Sequence, residues 1–382
     1  MRETEATTEA RRAMEVCNAC RYCEGFCAVF PAMTMRREFS TGDLSYIANL
    51  CHNCKGCYYA CQYAPPHPFN INVPQVLAQV RADTYEEYAW PGPLAGLFKR
   101  NGTVVSLVAA AGIALVLLLT MALVDHRVLY QPQVGPGAFY RVIPWWLMTT
   151  LAGGTFLFSI LALVMGFRNF WRDTGGRADE LTRGRPLMVA LHDILTLKNL
   201  GGGGGGCNDR DEAFSQSRRR FHHAMFYGFL LCFASTSTAT VYDHFLGLEA
   251  PYAFFSLPVQ LGFWGGIGMV VGTAGLIWAK IVSDPAPAAR NLLGADYALL
   301  VLLLLTASTG LLLLALRETG AMGVLLAVHL GIILALFLVI PYSKMVHGVY
   351  RSAALLRHAL ERHPTPPPPG TAPSDRALGS AA

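Results

Sequence analysis

The chain has 382 residues, of which 53% are hydrophobic and only 14% charged, against about 25% charged in an ordinary soluble domain. That balance excludes a purely soluble protein, and the length allows two or three domains. The net charge of +5 calls for no nucleic-acid partner, because the positive residues gather in segments that fit one side of a membrane.

Residues 1–16 are charged and lack the apolar core of a secretory signal. Two cysteine runs follow. The first is Cys17, Cys20, Cys23 and Cys27; the second is Cys51, Cys54, Cys57 and Cys61. Each reads C-x2-C-x2-C-x3-C, the spacing of [4Fe–4S] ferredoxins, in which the fourth cysteine of a run ligates the other cluster. The expected ligand sets are therefore Cys17, Cys20, Cys23 and Cys61 for one cluster, and Cys51, Cys54, Cys57 and Cys27 for the other. Zinc sites pair two CxxC units across a long spacer, and disulfide frameworks belong to exported domains, so neither suits this spacing. The proline that commonly follows the fourth cysteine is replaced by Ala28 and Gln62, which argues against the small β-type ferredoxin loop. The 23 residues between Cys27 and Cys51 have room for a helix capped at Thr41-Gly42-Asp43. A proline-punctuated stretch from Gln62 to Pro74 then leads into a helix from about Gln75 to Tyr88. His67 lies in that stretch and reads as a structural hydrogen-bonding group.

Apolar runs cover about 103–124, 145–167, 222–245, 258–280, 297–316 and 323–343. Each is long enough to span about 30 Å of hydrocarbon, so six transmembrane helices are expected. Ten lysines and arginines lie between Arg168 and Arg220, and Arg351, Arg357 and Arg362 follow the last span, while the alternate loops are poor in positive charge. The positive-inside rule then puts both termini and the cysteine runs in the cytoplasm. The expected domains are 1–90 (ferredoxin-type), 91–347 (membrane) and 348–382 (a basic, then Pro-rich disordered tail). In the cytoplasmic loop 168–220, an amphipathic helix is expected over Pro186 to Leu200. Gly201 through Gly206 then read as a flexible connector, since no strand precedes them as a nucleotide-binding loop requires. Cys207, alone, reads as a non-ligand.

No Asp, Glu, Lys or Arg falls well inside any span, which leaves histidines as the intramembrane ionisable groups. His329 and His347 are 18 residues apart, about five helical turns, and so are expected to share one face. With the third and sixth spans antiparallel, His222 or His223 faces His347 near the inner side, and His244 lies near His329 on the outer side. Facing histidines on two helices are how a bundle holds b-type haem. The outer pair is mismatched in depth by roughly 6 Å at ideal rise, and His126 is a competing partner. The fold expected is thus all-α: a helical two-cluster ferredoxin-like domain followed by a six-helix haem-binding bundle.

The cysteine runs, Gln62-Tyr63-Ala64-Pro65-Pro66-His67-Pro68-Phe69 with Asn72-Val73-Pro74, the Gly-rich loop ending at Cys207, and His222 through Phe233 together resemble the B proteins of tricarballylate and citrate utilisation (TcuB/CitB). The resemblance covers most of the chain. It implies an electron carrier of the bacterial inner membrane that reoxidises the flavin of an FAD-dependent tricarballylate dehydrogenase. It also implies that [4Fe–4S] clusters and haem pass the electrons to the quinone pool. A competing reading is a tricarboxylate transporter with a redox-sensing domain, for which glycines of the fourth span (Gly262, Gly265, Gly266, Gly268, Gly272) would mark a broken helix; close helix packing explains them more simply. Another is electron transfer from a different flavoprotein or a disulfide reductase.

Overall fold

A computed structural model describes residues 2–363, apart from the side chains of Phe98 and Lys99. Its helices are α1 (Glu5–Cys20), α2 (Val29–Thr34), α3 (Thr41–Leu50), α4 (Gly56–Tyr59), α5 (Val73–Glu87), α6 (Asn101–Leu123), α7 (Ala138–Val142), α8 (Trp145–Asp173), α9 (Gly184–Leu195), α10 (Ser217–Leu246), α11 (Leu257–Ile281), α12 (Leu293–Leu316), α13 (Met322–Val339) and α14 (His347–Arg362). Among the described residues there is no strand, only an isolated bridge between Cys207 and Ser215. The all-α expectation holds.

Helices α1–α5 build the N-terminal unit. Thr4 caps α1, and Ser40 caps α3 in a reciprocal box with Asp43, one residue before the expected cap. Asn72 caps α5 with Pro74 in its first turn, where a missing N–H costs nothing. Their apolar faces close over Met14, Met33, Leu44, Ile47, Leu77 and Val80, and Ala354 and Leu355 of α14 complete that core.

The expected basic tail is therefore ordered up to Arg362. Glu361 of α14 accepts hydrogen bonds from Arg36 at 2.6 Å and from the Tyr46 hydroxyl at 2.9 Å. The Pro-rich stretch 364–382 lies outside the described residues.

Among the described residues, six helical segments are long and apolar enough to cross a membrane: Asn101–Leu123, Trp145–Asp173, Ser217–Leu246, Leu257–Ile281, Arg290–Leu316 and Met322–Tyr342. They match the expected spans in number and order. Helices α10 and α11 touch backbone to backbone because glycines face each other: a Cβ on Gly228 would meet Gly265 O at 2.7 Å, and one on Gly265 would meet Cys232 N at 2.8 Å. The glycines of the fourth span thus serve close packing, and α11 runs unbroken from Leu257 to Ile281.

One expectation about the spans is corrected. The α-helix of the last span ends at Val339, and short 3-10 turns cover Ile340–Tyr342 and Lys344–Val346 before α14 starts at His347. Pro341 has no N–H and crowds the carbonyl a turn earlier, so His329 and His347 sit on different helices and share no face. Charge gathers at the span ends: Asp296, buried in the first turn of α12, pairs with both Lys280 in the last turn of α11 and Lys344 beyond α13.

Candidate functional site

The crossed cysteine sets are brought together in space. Cys17, Cys20, Cys23 and Cys61 line one cavity of about 240 Å³, with Tyr22, Gln62 and Tyr63 at its mouth. Cys27, Cys51, Cys54 and Cys57 line a tighter one of about 20 Å³. Ends of helices put them there: α1 stops at Cys20 and Arg21 turns left-handed (φ 56°), while α3 runs up to Cys51. Asn53 (φ 56°), between Cys51 and Cys54, and Lys55 (φ 67°), between Cys54 and Cys57, are also left-handed. Such turns aim successive backbone N–H groups at a common anion. Asn53 N–H lies 3.4 Å from Cys51 Sγ, and the backbone of Val29 and Phe30 donates to Cys27.

Burial first, then the neighbouring cysteines Cys61, Cys23 and Cys20, pushes the Cys17 thiol up to about 12. Cys27 is pushed up by burial and then by Cys54 and Cys51. Four thiols that repel one another's ionisation in a closed space are a donor set suited to a cationic group. Among the described residues no three His, Cys, Asp or Glu side chains converge tightly enough for a single ion. The thiols stand around a cavity instead of a point, and this suits a cluster of several irons.

The glycine run is no loose connector. At Gly202 (φ 49°) a Cβ would stand 3.3 Å from Cys54 Cβ, and at Gly203 (φ 74°) it would collide with Phe26 O. Only residues without a side chain let this loop lie flat on the second cysteine set. Asn208 N–H donates to Cys54 O at 2.9 Å, and buried Cys207 donates to Leu200 O at 3.1 Å; Cys207 lines neither cavity.

Three arginines, unforeseen as site residues, grip the second cysteine loop. Arg218, in the first turn of α10, donates to Asn53 O at 2.6 Å and His52 O at 3.0 Å. Arg351 of α14 donates to Cys51 O at 3.0 Å, and Arg81 of α5 to Cys51 O at 2.9 Å and Ala48 O at 2.7 Å. The sequence marks Arg218 and Arg351 only as topology signals and gives Arg81 no role. Lys55 in the same loop donates to Ser283 Oγ, and Tyr59 donates to Asp284 Oδ2 at 2.6 Å, which latches the N-terminal unit to the end of α11. Burial, then Arg218, pulls the Lys55 amine down to about 8. His52 is also buried and held well below its usual value, by burial and then Arg351.

The histidines separate. His222 and His347 face each other with ring centroids 6.3 Å apart and planes at 86°. The His347 Nδ1–H donates to Lys344 O at 2.5 Å, which fixes the tautomer and leaves Nε2 free to bind metal. His222 Nδ1 is buried without a hydrogen-bond partner. With Nε2 of His347 and Nδ1 of His222 unengaged, these two imidazoles could together hold one iron. His223 turns away and shares a hydrogen bond with Thr196 O at 3.0 Å. His244 and His329 are not brought together: His244 packs on Trp145, and His329 hydrogen-bonds Thr309 at 2.9 Å. The cause is helix placement, since α10 pairs with α11, whereas His329 of α13 faces α12. His126 is exposed beside Asp125. His67 accepts from Phe69 N–H at 3.1 Å, the structural role expected.

A ferredoxin-like N-terminal unit seated on six membrane-spanning helices defines a multi-pass membrane protein with an iron–sulfur type of domain. Residues 97–367 match the family model "Citrate utilization protein B", and residues 10–87 match its "Fer4-like domain". The chain belongs to the citrate utilization protein B family. It is 50% identical over 363 residues to a Citrate utilization protein B of Escherichia coli, covering 94% of this chain and 93% of that protein. No solved structure matches.

Proposed function

We propose that the protein is the membrane electron carrier for a flavin-dependent dehydrogenase of tricarballylate or a citrate-like acid, and delivers the electrons to the quinone pool. The observation that carries this reading is the gathering of eight cysteines into two crossed sets of four within a Fer4-like domain docked on the end of the bundle that carries His222 and His347. Cys17, Cys20, Cys23 and Cys61 would hold one [4Fe–4S] cluster, and Cys27, Cys51, Cys54 and Cys57 the other. His222 and His347 would hold one b-type haem. When bound, these groups take up and release single electrons. The chain's own part is to fix their places and surroundings. Helix ends and left-handed turns set the thiols, the glycine loop closes the second set off from water, and Lys344 O orients His347.

By the positive-inside rule, the Arg-rich connector supports a cytoplasmic N-terminal unit and cytoplasmic termini in a bacterium, where a soluble flavoprotein would have access. The unbroken α11 and the confinement of Asp296, Lys280 and Lys344 to one end of the bundle disfavour a tricarboxylate transporter, which needs cationic or unwound elements near the midplane.

The test is an anaerobic preparation of the full chain in detergent. About eight non-haem irons per chain are expected from two cubanes, with matching acid-labile sulfide, one b-type haem, and quinone reduction dependent on the partner dehydrogenase and its acid. A preparation without iron and sulfide, or one that transports the acid and reduces no quinone, overturns the reading.

A further inference from the structure

The two cysteine sets sit in opposite electrostatic surroundings. The first cavity has no Lys, Arg, Asp or Glu in its lining. Its loop carries one charge of each sign, Arg21 and Glu24, both exposed. It opens at the surface beside Tyr22, which is 68% exposed. The second set is walled in by the glycine loop and gripped by Arg81, Arg218 and Arg351, which arrive from three separate helices. Lys55 lies in the same loop, and among the described residues two nearby carboxylates answer these four cations, Asp209 at 3.7 Å from Arg218 and Asp284 beside Lys55, so positive charge prevails around the second set.

A [4Fe–4S] centre held by four thiolates is anionic, and it gains one more negative charge on reduction. Its potential depends on solvent exposure, hydrogen bonding and nearby charge. Two effects therefore compete. Burial makes the second centre harder to reduce than the first, because the added charge is less well solvated. Fixed cations make it easier, and their effect is strongest where water is excluded. Without the arginines, burial alone would leave an electron on the exposed centre, away from the bundle.

We propose that Arg81, Arg218 and Arg351 raise the reduction potential of the centre held by Cys27, Cys51, Cys54 and Cys57 above that of the one held by Cys17, Cys20, Cys23 and Cys61, so that electrons enter at the exposed centre and collect at the membrane-side one. This inference rests on the cluster reading given above. The step is a one-electron exchange: the first centre is oxidised by one electron, the second is reduced by one, and no bond or proton moves. The arginines are positioning residues. Arg218 has the added significance that His222 lies one helical turn further along α10, so the same helix that grips the second cysteine loop carries one of the two facing imidazoles.

The test is an EPR redox titration of the full chain purified anaerobically, with C17S and C51S used to assign each signal to its cysteine set. The second set is expected to be reduced at the higher potential. R218Q and R351Q, which keep donors but lose charge, are each expected to shift its oxidised-to-reduced ratio at fixed potential at least tenfold toward the oxidised form (about 59 mV for one electron). The first set should stay in place, and R218K should restore the second. Should R218Q lose the second signal altogether, R351Q carries the comparison. A wild-type protein whose first set has the higher potential, or arginine variants with both signals intact and unshifted, overturns the inference and leaves the cluster reading standing. Absence of both signals from protein lacking iron and sulfide overturns the cluster reading itself.

Discussion

The imidazoles of His222 and His347 meet edge to face, 6.3 Å between ring centroids, although they are 125 residues apart and belong to different helices, α10 and α14. His222 opens toward the pair from the first turns of α10, and His347 is the first residue of α14. If these two rings are the axial ligands of haem, H222L and H347L should each abolish the b-type visible spectrum. H223L and H244L should retain it, since His223 hydrogen-bonds Thr196 and His244 packs on Trp145. Spectra that survive both H222L and H347L would move the haem elsewhere or remove it.

The glycine loop makes a second prediction. Gly203 needs a left-handed backbone and has Phe26 O where a Cβ would go, whereas Gly204 (φ 117°) has open space there. Alanine at either position pays the backbone strain, of order 1–3 kcal/mol, but only at Gly203 must the loop also lift off the second cysteine set. G203A should therefore speed loss of one cluster in air several-fold relative to G204A, as read by the decay of visible absorbance and iron content. Equal decay rates would show that the loop does not shield the site.

Asp296 is the only carboxylate paired with Lys280 and Lys344 among the described ion pairs. D296N leaves two ammonium groups facing each other at the end of the bundle. Breaking a buried pair costs about 3–5 kcal/mol; because both lysines are about one-third exposed, about 3 kcal/mol is the expected loss. Thermal unfolding in detergent measures it, and a variant as stable as wild type would show that water already screens the lysines.

The contact of α14 with the N-terminal unit should weaken in acid. Burial works to raise the Asp43 carboxyl, but hydrogen bonds from Ser40 and Arg36 outweigh it, and the net shift is downward. A carboxyl held low contributes stability above its ordinary value of about 4, and that contribution is lost as pH falls through the lowered one. Arg36 also bonds Glu361, so protonating Asp43 loosens the network that holds α14. Limited proteolysis between pH 7 and pH 3 should expose α14 at a higher pH in E361Q than in wild type, by about 1 kcal/mol or more of lost charge-assisted bonding. Identical cleavage profiles would place the holding force in the Ala354 and Leu355 core contacts alone.

What the sequence determined by itself was everything carried by local spacing and composition. The cysteine repeats fixed which thiols could share a cavity, and twenty-residue apolar runs fixed the number of spans, because a bilayer demands that length. The QYAPPH and His222–Phe233 stretches pointed to the family. Pairing of distant groups was decided only by tertiary structure. Pro341 broke the helix that would have aligned His329 with His347, and the pairing of α10 with α11 left His244 on Trp145 while His329 faces α12. The glycine run looked like slack chain because its partner, Cys54, lies about 150 residues earlier. Arg81, Arg218 and Arg351 looked like scattered charge until three helices converged on one loop. Periodicity records which face of a helix is apolar; it does not record which other helix that face will meet, and the electrostatics of the second cysteine set depend on that meeting.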